Sequence, residues 1–331
     1  GWTRRISGDI QMSSRYIEGK DEQSLDRVPL SMQKWSDSKE IARAGIGRGP
    51  CIEHDEYAVN GALRFIEGYF NSSYYDREQQ HPLLLKVSLI QPHYPYLTDE
   101  HMFKYYLNRV RPYVNQIVSD HPFLSQRQVR PGIDVTEREI VRAAAAYYGM
   151  IETVDEMYGS VMEALEEAGQ NLDDWIIIYT SDHGEMLGEH GIWEKQKFYE
   201  ASVRVPLIIR FPERFSGGKV IHENVNLCDL FATLCDLTDI PIPEKLDSRS
   251  LVPLMNGDDG SWDNETVSQF GGTNLMIKRD HLKYQYYGSK MPEVLFDLQQ
   301  DPGENVNRIG DPEYSELVAG FRARTEQLGF H

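Results

Sequence analysis

The chain has 331 residues, and its 40% hydrophobic and 11% aromatic content is ample for a folded core. Its 52 acidic and 34 basic residues give a formal charge of −18, which argues against non-specific binding to nucleic acid or to an anionic membrane. We expect a soluble protein, with its cytoplasmic, periplasmic or secreted location and any homo-oligomeric state left open.

Two patterns in the first half of the chain predict elements of an α/β fold. Residues 52–70 carry apolar side chains at helical spacing, and the run Pro82–Ile90 predicts a buried strand. The following loop contains His93 between two prolines, which stiffen its backbone. A histidine in a loop is by default structural, but its place at the carboxyl end of a strand favours a functional role.

A long helix is predicted over residues 136–168. Thr136 and Glu139 have the spacing of a capping box, and Gly169 supplies the stop. Apolar residues recur along the segment at three- and four-residue spacing, so we expect a core-packing stripe and not a cofactor site. The stripe consists of Ile140, Ala144, Tyr147, Ile151, Val154, Tyr158, Val161 and Leu165.

The most informative stretch follows this helix. The run Trp175–Tyr179 predicts a strand buried on both faces, as in a parallel sheet. Asp182 and His183 come where that strand should end, which is where ligands bind in open α/β sheets. An adjacent Asp and His can present one carboxylate and one imidazole to a metal ion. We therefore expect chemistry here, with Gly184 allowing a sharp turn behind the pair.

Two lysines, Lys195 and Lys197, are the basic pair nearest to that site in sequence. Either could be a solvated loop lysine, and this interpretation suits Lys197 well. The next apolar run, 203–212, predicts another strand, with Pro206 indicating an edge or a first strand position. A helix is expected over Asn226–Leu237.

Beyond residue 258 the pattern changes. Short alternating runs separated by turn residues predict a small antiparallel sheet, and a last helix is expected over about 312–328. We therefore divide the chain into an α/β domain, 1–258, and a small α+β subdomain, 259–331. The cysteines Cys51, Cys228 and Cys235 form no metal-ligand or disulfide pattern, and we expect the last two at buried packing positions.

Several of these segments resemble the sulfatase family of the alkaline phosphatase superfamily, over nearly the whole chain. The segments are Thr180–Pro206, Pro92–Tyr96, Asp229–Leu234, Ile240–Pro243, Asp247–Leu251 and Leu295–Glu304. The layout is most similar to choline-sulfatase-type and other bacterial-type members. The resemblance implies an alkaline-phosphatase-like α/β fold, with a mixed sheet sandwiched by helices and a small C-terminal antiparallel sheet plus helix. It also implies a sulfuric ester hydrolase that cleaves a sulfate monoester of a small alcohol or sugar.

The resemblance assigns roles to five residues. Asp182 and His183 would bind a divalent metal, most often Ca²⁺, with Mn²⁺ or Mg²⁺ as alternatives. Lys195 would contact the sulfate oxygens, and His93 would protonate the leaving-group oxygen. His190, on the same loop as Asp182 and His183, would line the substrate pocket.

One part of the family pattern has no counterpart here. The family nucleophile is a formylglycine made from a Cys/Ser-x-Pro-x-Arg motif, and Cys51 is followed by Ile-Glu-His-Asp. We expect the nucleophile on an N-terminal segment or chain outside this sequence. The expected partners of the chain are therefore this segment or chain and a small sulfated substrate. Two alternatives stay open: a phosphonate monoester or phosphodiester hydrolase of the same superfamily, whose members also carry the Asp–His pair, and a catalytically inactive sulfatase-like subunit or fragment.

Overall fold

The computed structural model describes residues 37–71, 82–112 and 119–331. Contacts divide the described chain into two compact units. The first unit takes its residues from Gly1–Val114, Val129–Trp175 and Gly191–Glu194, and the second from Asn115–Gln128, Ile176–His190 and Lys195–His331. The predicted domain boundary near residue 258 stays a prediction. None of the described helices combines the length and apolar character needed to cross a membrane.

The first unit is mainly helical. Two short strands, β1 (Gly45–Ile46) and β2 (Leu97–Thr98), form a parallel ladder in which Gly45 pairs with Leu97. The elements are α1 (Asp37–Arg43), β1 (Gly45–Ile46), α2 (Pro50–Phe70), β2 (Leu97–Thr98), α3 (Glu100–Leu107), α4 (Glu137–Glu167) and a 3₁₀ turn, Leu172–Asp174.

The long helix α4 begins and ends where the sequence predicts. The Thr136 hydroxyl accepts a hydrogen bond from the Glu139 N–H at 3.2 Å, and the Glu139 carboxylate accepts one from the Thr136 N–H at 2.7 Å. At the other end Gly169 adopts a φ of 76°, and the N–H of Gln170 reaches the carbonyl of Leu165 at 3.0 Å. The capping box and the glycine stop are both confirmed. Both could be predicted from the sequence because each depends only on residues a few positions apart.

An apolar cluster between α2 and α4 forms the core of the first unit. Its buried members are Val59, Ala62, Ile66, Phe70, Val161 and Leu165. Alternate residues of the segment 82–90 pack against it, as expected for an extended chain. The prediction of a strand there is nevertheless wrong, because no described residue forms a ladder with this segment.

The second unit contains the strand that precedes the Asp–His pair. This strand, β3 (Ile177–Thr180), pairs antiparallel with β4 (Leu207–Arg210), and it is partly exposed on both faces. The expectation of a fully buried strand in a parallel sheet is therefore wrong. An apolar run identifies a strand but not the direction of its partner, and antiparallel pairs tolerate an exposed face. Pro206 lies directly before β4 and not at its first position, which is Leu207.

The rest of the second unit follows the predicted order, with a four-stranded antiparallel sheet β5-β6-β7-β8 covered by a final helix. Its elements are α5 (Glu200–Val203), α6 (Asp229–Leu237), α7 (Val252–Asn256), β5 (Glu265–Phe270), β6 (Asn274–Arg279), β7 (Leu282–Tyr286), β8 (Val294–Asp297) and α8 (Ser315–Gln327). The C-terminal sheet and helix are confirmed. Their core contains Leu275, Ile277, Leu282, Tyr284, Leu295, Tyr314, Val318 and Phe321.

One packing prediction fails in this unit. Cys235 is buried on α6 as expected, but Cys228 is exposed. The helix begins at Asp229, so Cys228 occupies the N-cap position and lies outside the buried face.

Candidate functional site

His93 belongs to the first unit, in the loop that follows the extended segment 82–90. Its Nδ1 lies 2.7 Å from the carbonyl oxygen of Tyr94. Because a carbonyl can only accept, Nδ1 carries a hydrogen, and Nε2 is the nitrogen that can take up or release a proton. The side chain is thus oriented by its own loop.

A buried carboxylate that the sequence analysis missed anchors the start of this loop. Asp55 of α2 is fully buried, and its two oxygens accept hydrogen bonds from the N–H groups of Ile90 and Gln91 at 2.7 and 2.8 Å. In the sequence, Asp55 is one of several polar residues of an amphipathic helix, and no local pattern distinguishes it from the others.

Asp182 and His183 lie in the second unit, directly after β3. The ring Nδ1 of His183 is 2.9 Å from the carbonyl oxygen of Gly184, to which it must donate. Its Nε2 is therefore the nitrogen whose lone pair can bind a metal, and it lies 3.8 Å from Oδ1 of Asp182. The Asp182 side chain is 86% exposed, so its carboxylate is accessible.

The role of Gly184 differs from the predicted sharp turn. Its N–H donates to the carbonyl of Ser202 at 2.7 Å, and a Cβ at this position would lie 2.0 Å from the carbonyl oxygen of Ala201. Glycine is thus required for the close approach of two backbone segments. This contact ties Asp182 and His183 to the segment that follows Lys195.

Lys195 is half-buried and lines a cavity of about 1790 Å³ together with Asp182 and His183. It lies between Glu194 and Gln196, which adopt φ values of 70° and 80°. Two non-glycine residues in this left-handed region so close together are unusual and cost free energy. The structure therefore brings three of the five predicted site residues to the same cavity.

Lys197 corrects the expectation of a solvated loop lysine. It is 5% exposed, its Nζ donates to the carbonyl of Phe123 at 2.5 Å, and the ammonium lies 3.8 Å from the centroid of the Phe123 ring. A buried ammonium needs such partners, so Lys197 anchors the loop. The neighbouring Gln196 accepts a hydrogen bond from Arg127 at 3.1 Å.

His190 is 2% exposed, and its ring stacks on Tyr199 with centroids 4.0 Å apart. The residues that line the 1790 Å³ cavity do not include it. Its contacts in the second unit are those of a packing residue, and its role in a substrate pocket stays a prediction.

The donor set at Asp182 and His183 fits a divalent cation, with one carboxylate and one correctly oriented imidazole. The set is incomplete, since no group of three or more potential ligands (His, Cys, Asp or Glu) occurs within residues 37–71, 82–112 and 119–331. A metal at this position would need further ligands from outside the described residues or from solvent.

Comparison with known proteins places this geometry in a family. The family model described as sulfatase matches residues 36–240, which is more than half of the chain. The chain belongs to the sulfatase family. A second model, described as the C-terminal part of N-sulphoglucosamine sulphohydrolase, matches residues 188–330, which include Lys195 and the C-terminal sheet.

This sulfatase chain is 31% identical to an arylsulfatase of Clostridium perfringens, over 80% of the chain and 56% of the relative. It is 34% identical to a choline-sulfatase of Rhizobium meliloti, over 72% of the chain and 48% of the relative. The chain thus spans about half the length of the curated relatives it matches.

Among solved structures, the phosphonate monoester hydrolase of Agrobacterium radiobacter superimposes with a TM-score of 0.71 at 24% identity. The match covers 92% of this chain and 68% of that protein. The likeness concerns the fold, and it confirms the predicted alkaline-phosphatase-like α/β class.

Proposed function

We propose that the intact protein is a metal-dependent sulfatase that hydrolyses a sulfate monoester of a small alcohol or sugar. The observation that carries this proposal is that Lys195, Asp182 and His183 line the same cavity in a member of the sulfatase family. A lysine and a metal-binding pair facing a common space suit an anionic ester, because its non-bridging oxygens need positive charge around them.

Each residue has a distinct task in the proposed reaction. The Lys195 ammonium binds sulfate oxygens and stabilises the charge that they carry in the transition state. Asp182 and His183 hold the divalent cation, which when bound would supply further positive charge. The formylglycine expected outside this sequence would supply the nucleophile. His93 holds a proton on Nε2 and delivers it to the departing alcohol oxygen.

The imidazole ligand bears on the identity of the metal. Ca²⁺ and Mg²⁺ strongly prefer oxygen ligands, whereas an imidazole nitrogen suits transition metals better. We therefore propose that His183 shifts the preference of the site from the expected Ca²⁺ towards Mn²⁺. Equilibrium dialysis of the metal-free intact protein against each cation would compare them directly.

The experiment that tests the function is release of inorganic sulfate from aryl sulfate, choline sulfate and sulfated sugars by the intact protein. Lys195→Ala and His93→Ala should each lower kcat/KM by about 100-fold or more, the scale of a lost charge stabiliser or general acid. The exposed Lys245 and His101 provide matched controls, and their alanine variants should retain full turnover. Unchanged turnover in both site variants would remove the assignments.

A second candidate function is hydrolysis of a phosphonate monoester or phosphodiester. It is favoured by His183, since the Asp–His pair matches that branch of the superfamily. The ratio of kcat/KM on an aryl sulfate to that on an aryl phosphonate decides between them. The inactive-subunit alternative predicts no turnover of either substrate and no metal bound at Asp182 and His183.

A further inference from the structure

A buried ion network lies against the loop that carries Lys195, within the second unit. Lys283 of β7 is fully buried, and its Nζ is 2.8 Å from the carboxylate of Glu304 and 2.6 Å from that of Glu200. Glu304 is 2% exposed. Burial alone would raise the pKa of Glu200, but Lys283 and Lys278 outweigh it and hold that pKa below its ordinary value. Glu200 is therefore ionised at neutral pH.

The network ends on the backbone of the loop that carries Lys195. Lys283 Nζ donates to the carbonyl of Phe198 at 2.9 Å, and Glu304 accepts from the N–H of Glu200 at 2.6 Å. These two bonds hold the peptide groups on either side of Tyr199. Gln285, on the same strand as Lys283, makes a weaker contact of 3.4 Å to the Phe198 carbonyl.

Stability alone is a poor explanation for this arrangement. Removing a lysine and a glutamate from water is costly, and apolar replacements of buried ion pairs are often neutral or stabilising. A buried charge can, however, hold a backbone carbonyl or N–H in a defined position more firmly than a neutral group can. The position of the contacts therefore indicates what the network does.

The Lys195 loop requires such support. Its flanking residues Glu194 and Gln196 have positive φ, a conformation that persists only where surrounding contacts impose it. The side chains of Gln196 and Lys197 are held by Arg127 and by Phe123. The Lys283–Glu304 pair completes these restraints at Phe198 and Glu200, on the C-terminal side of the loop.

We propose that Lys283 and Glu304 are positioning residues for Lys195, fixing the loop that presents its ammonium to the cavity. This inference rests on the proposed role of Lys195 in sulfate binding. The pair acts through the backbone and does not touch the substrate, so its effect on turnover must pass through Lys195.

A double-mutant cycle on the intact protein tests this directly. Lys283→Met/Glu304→Leu removes both charges and both backbone contacts, and it should lower kcat/KM for the sulfate ester at least 10-fold. In a Lys195→Ala background the same pair of changes should alter kcat/KM by less than 2-fold. Tyr314→Phe is the control, because it removes a buried 2.7 Å hydrogen bond to Asp297 in the same unit. It should leave kcat/KM within 2-fold of the wild type.

Hydrogen exchange supplies a readout that does not depend on turnover. The amide of Glu200 and the peptide 195–203 should exchange at least 10-fold faster in the Lys283→Met/Glu304→Leu protein than in the wild type. In Tyr314→Phe their exchange rates should equal those of the wild type. If the double variant does not fold, Glu304→Gln gives the same comparison with a smaller effect. Unchanged exchange, or an equal fall in kcat/KM with and without Lys195, would overturn the inference. A wild type that hydrolyses no sulfate ester refutes the proposed function instead, and exchange still decides whether the pair positions the loop.

Discussion

The two ring nitrogens of His183 have different partners, and this difference determines what the residue can do. Nδ1 is 2.9 Å from the Gly184 carbonyl, whereas Nε2 is 3.8 Å from Oδ1 of Asp182. Two ligands of one cation, each roughly 2.2–2.5 Å from it, can have such a separation. The backbone bond thus fixes the imidazole with its Nε2 lone pair available to the proposed metal, as outer contacts do in established metal sites.

We predict that His183→Ala and Asp182→Asn each weaken Mn²⁺ binding to the intact protein by about 10-fold or more. His183→Ala removes one of the two proposed ligands, and Asp182→Asn replaces the other, a carboxylate, by a neutral and weaker amide oxygen. Isothermal titration calorimetry, with Mn²⁺ added to protein from which bound metal has been removed by EDTA, measures the Kd of each variant. Asp259→Asn, in an exposed loop, controls for the loss of one negative charge and should leave the Kd unchanged. Equal affinities in all four proteins would place the metal elsewhere.

Thr136→Ala should destabilise the first unit by about 1 kcal/mol, the usual value for a lost N-cap. The change removes the acceptor for the Glu139 N–H and one half of the capping box. Urea unfolding followed by circular dichroism measures the effect. Ser160 lies within the same helix and bonds back to the Glu156 carbonyl at 3.0 Å, so Ser160→Ala should cost nothing. A comparable loss in both variants would contradict a specific capping effect.

The features that the sequence predicted correctly are those with local causes. The α4 cap and Gly169 lie within one continuous segment, and the alternating runs after residue 258 carry their own turn signals. For this reason the helix and the C-terminal sheet could be predicted from the sequence, whereas metal binding by Asp182 and His183 stays a prediction. The predicted apolar stripe of α4 is right only in part, because Ile140, Ala144, Val154, Val161 and Leu165 are buried but Ile151 is 40% exposed.

The features that were missed depend on partners far away in the sequence. Lys283 is 85 residues from the Phe198 carbonyl that it binds, and Lys197 is 74 residues from Phe123. Nothing near either lysine distinguishes a buried anchor from a solvated side chain. The prediction that β3 pairs in parallel failed for the same reason. Its partner β4 begins 27 residues after β3 ends, and a connection of that length is compatible with either orientation.

Gly184→Ala should destabilise the second unit by about 3 kcal/mol, at the upper end of the usual cost of overpacking. The added methyl would lie 2.0 Å from the Ala201 carbonyl oxygen, and both segments are backbone, so neither can yield by a rotamer change. Thermal unfolding measures the loss. Gly159→Ala is the matched control, because no atom lies within 4 Å of its new methyl and it is inside α4. That variant should be stabilised by about 0.5–1 kcal/mol, and a similar loss in both proteins would refute the close-contact argument.

His121 should make the second unit less stable as the pH falls below about 6.5, the ordinary pKa of histidine. Burial lowers the pKa of this imidazole, a direction reinforced by nearby Lys197. Its Nε2 donates to the Pro292 carbonyl at 2.8 Å, so Nδ1 must accept from the N–H groups of Phe123 and Leu124, at 3.1 and 3.3 Å. Protonation at Nδ1 would point its new N–H at the N–H groups of Phe123 and Leu124 and would break both hydrogen bonds.

The sign follows from proton binding. With its folded pKa below the unfolded value, His121 contributes its full stability above about pH 6.5, and this contribution declines as the pH falls towards the folded pKa. The free energy of unfolding should therefore fall between pH 7.5 and pH 5 more steeply in the wild type than in His121→Asn. The difference in slope is at most about 1.4 kcal/mol per pH unit, the effect of one proton. His101→Asn, on an exposed position of α3, should keep the wild-type slope, and parallel curves for His121→Asn and the wild type would show that His121 does not titrate as the structure requires.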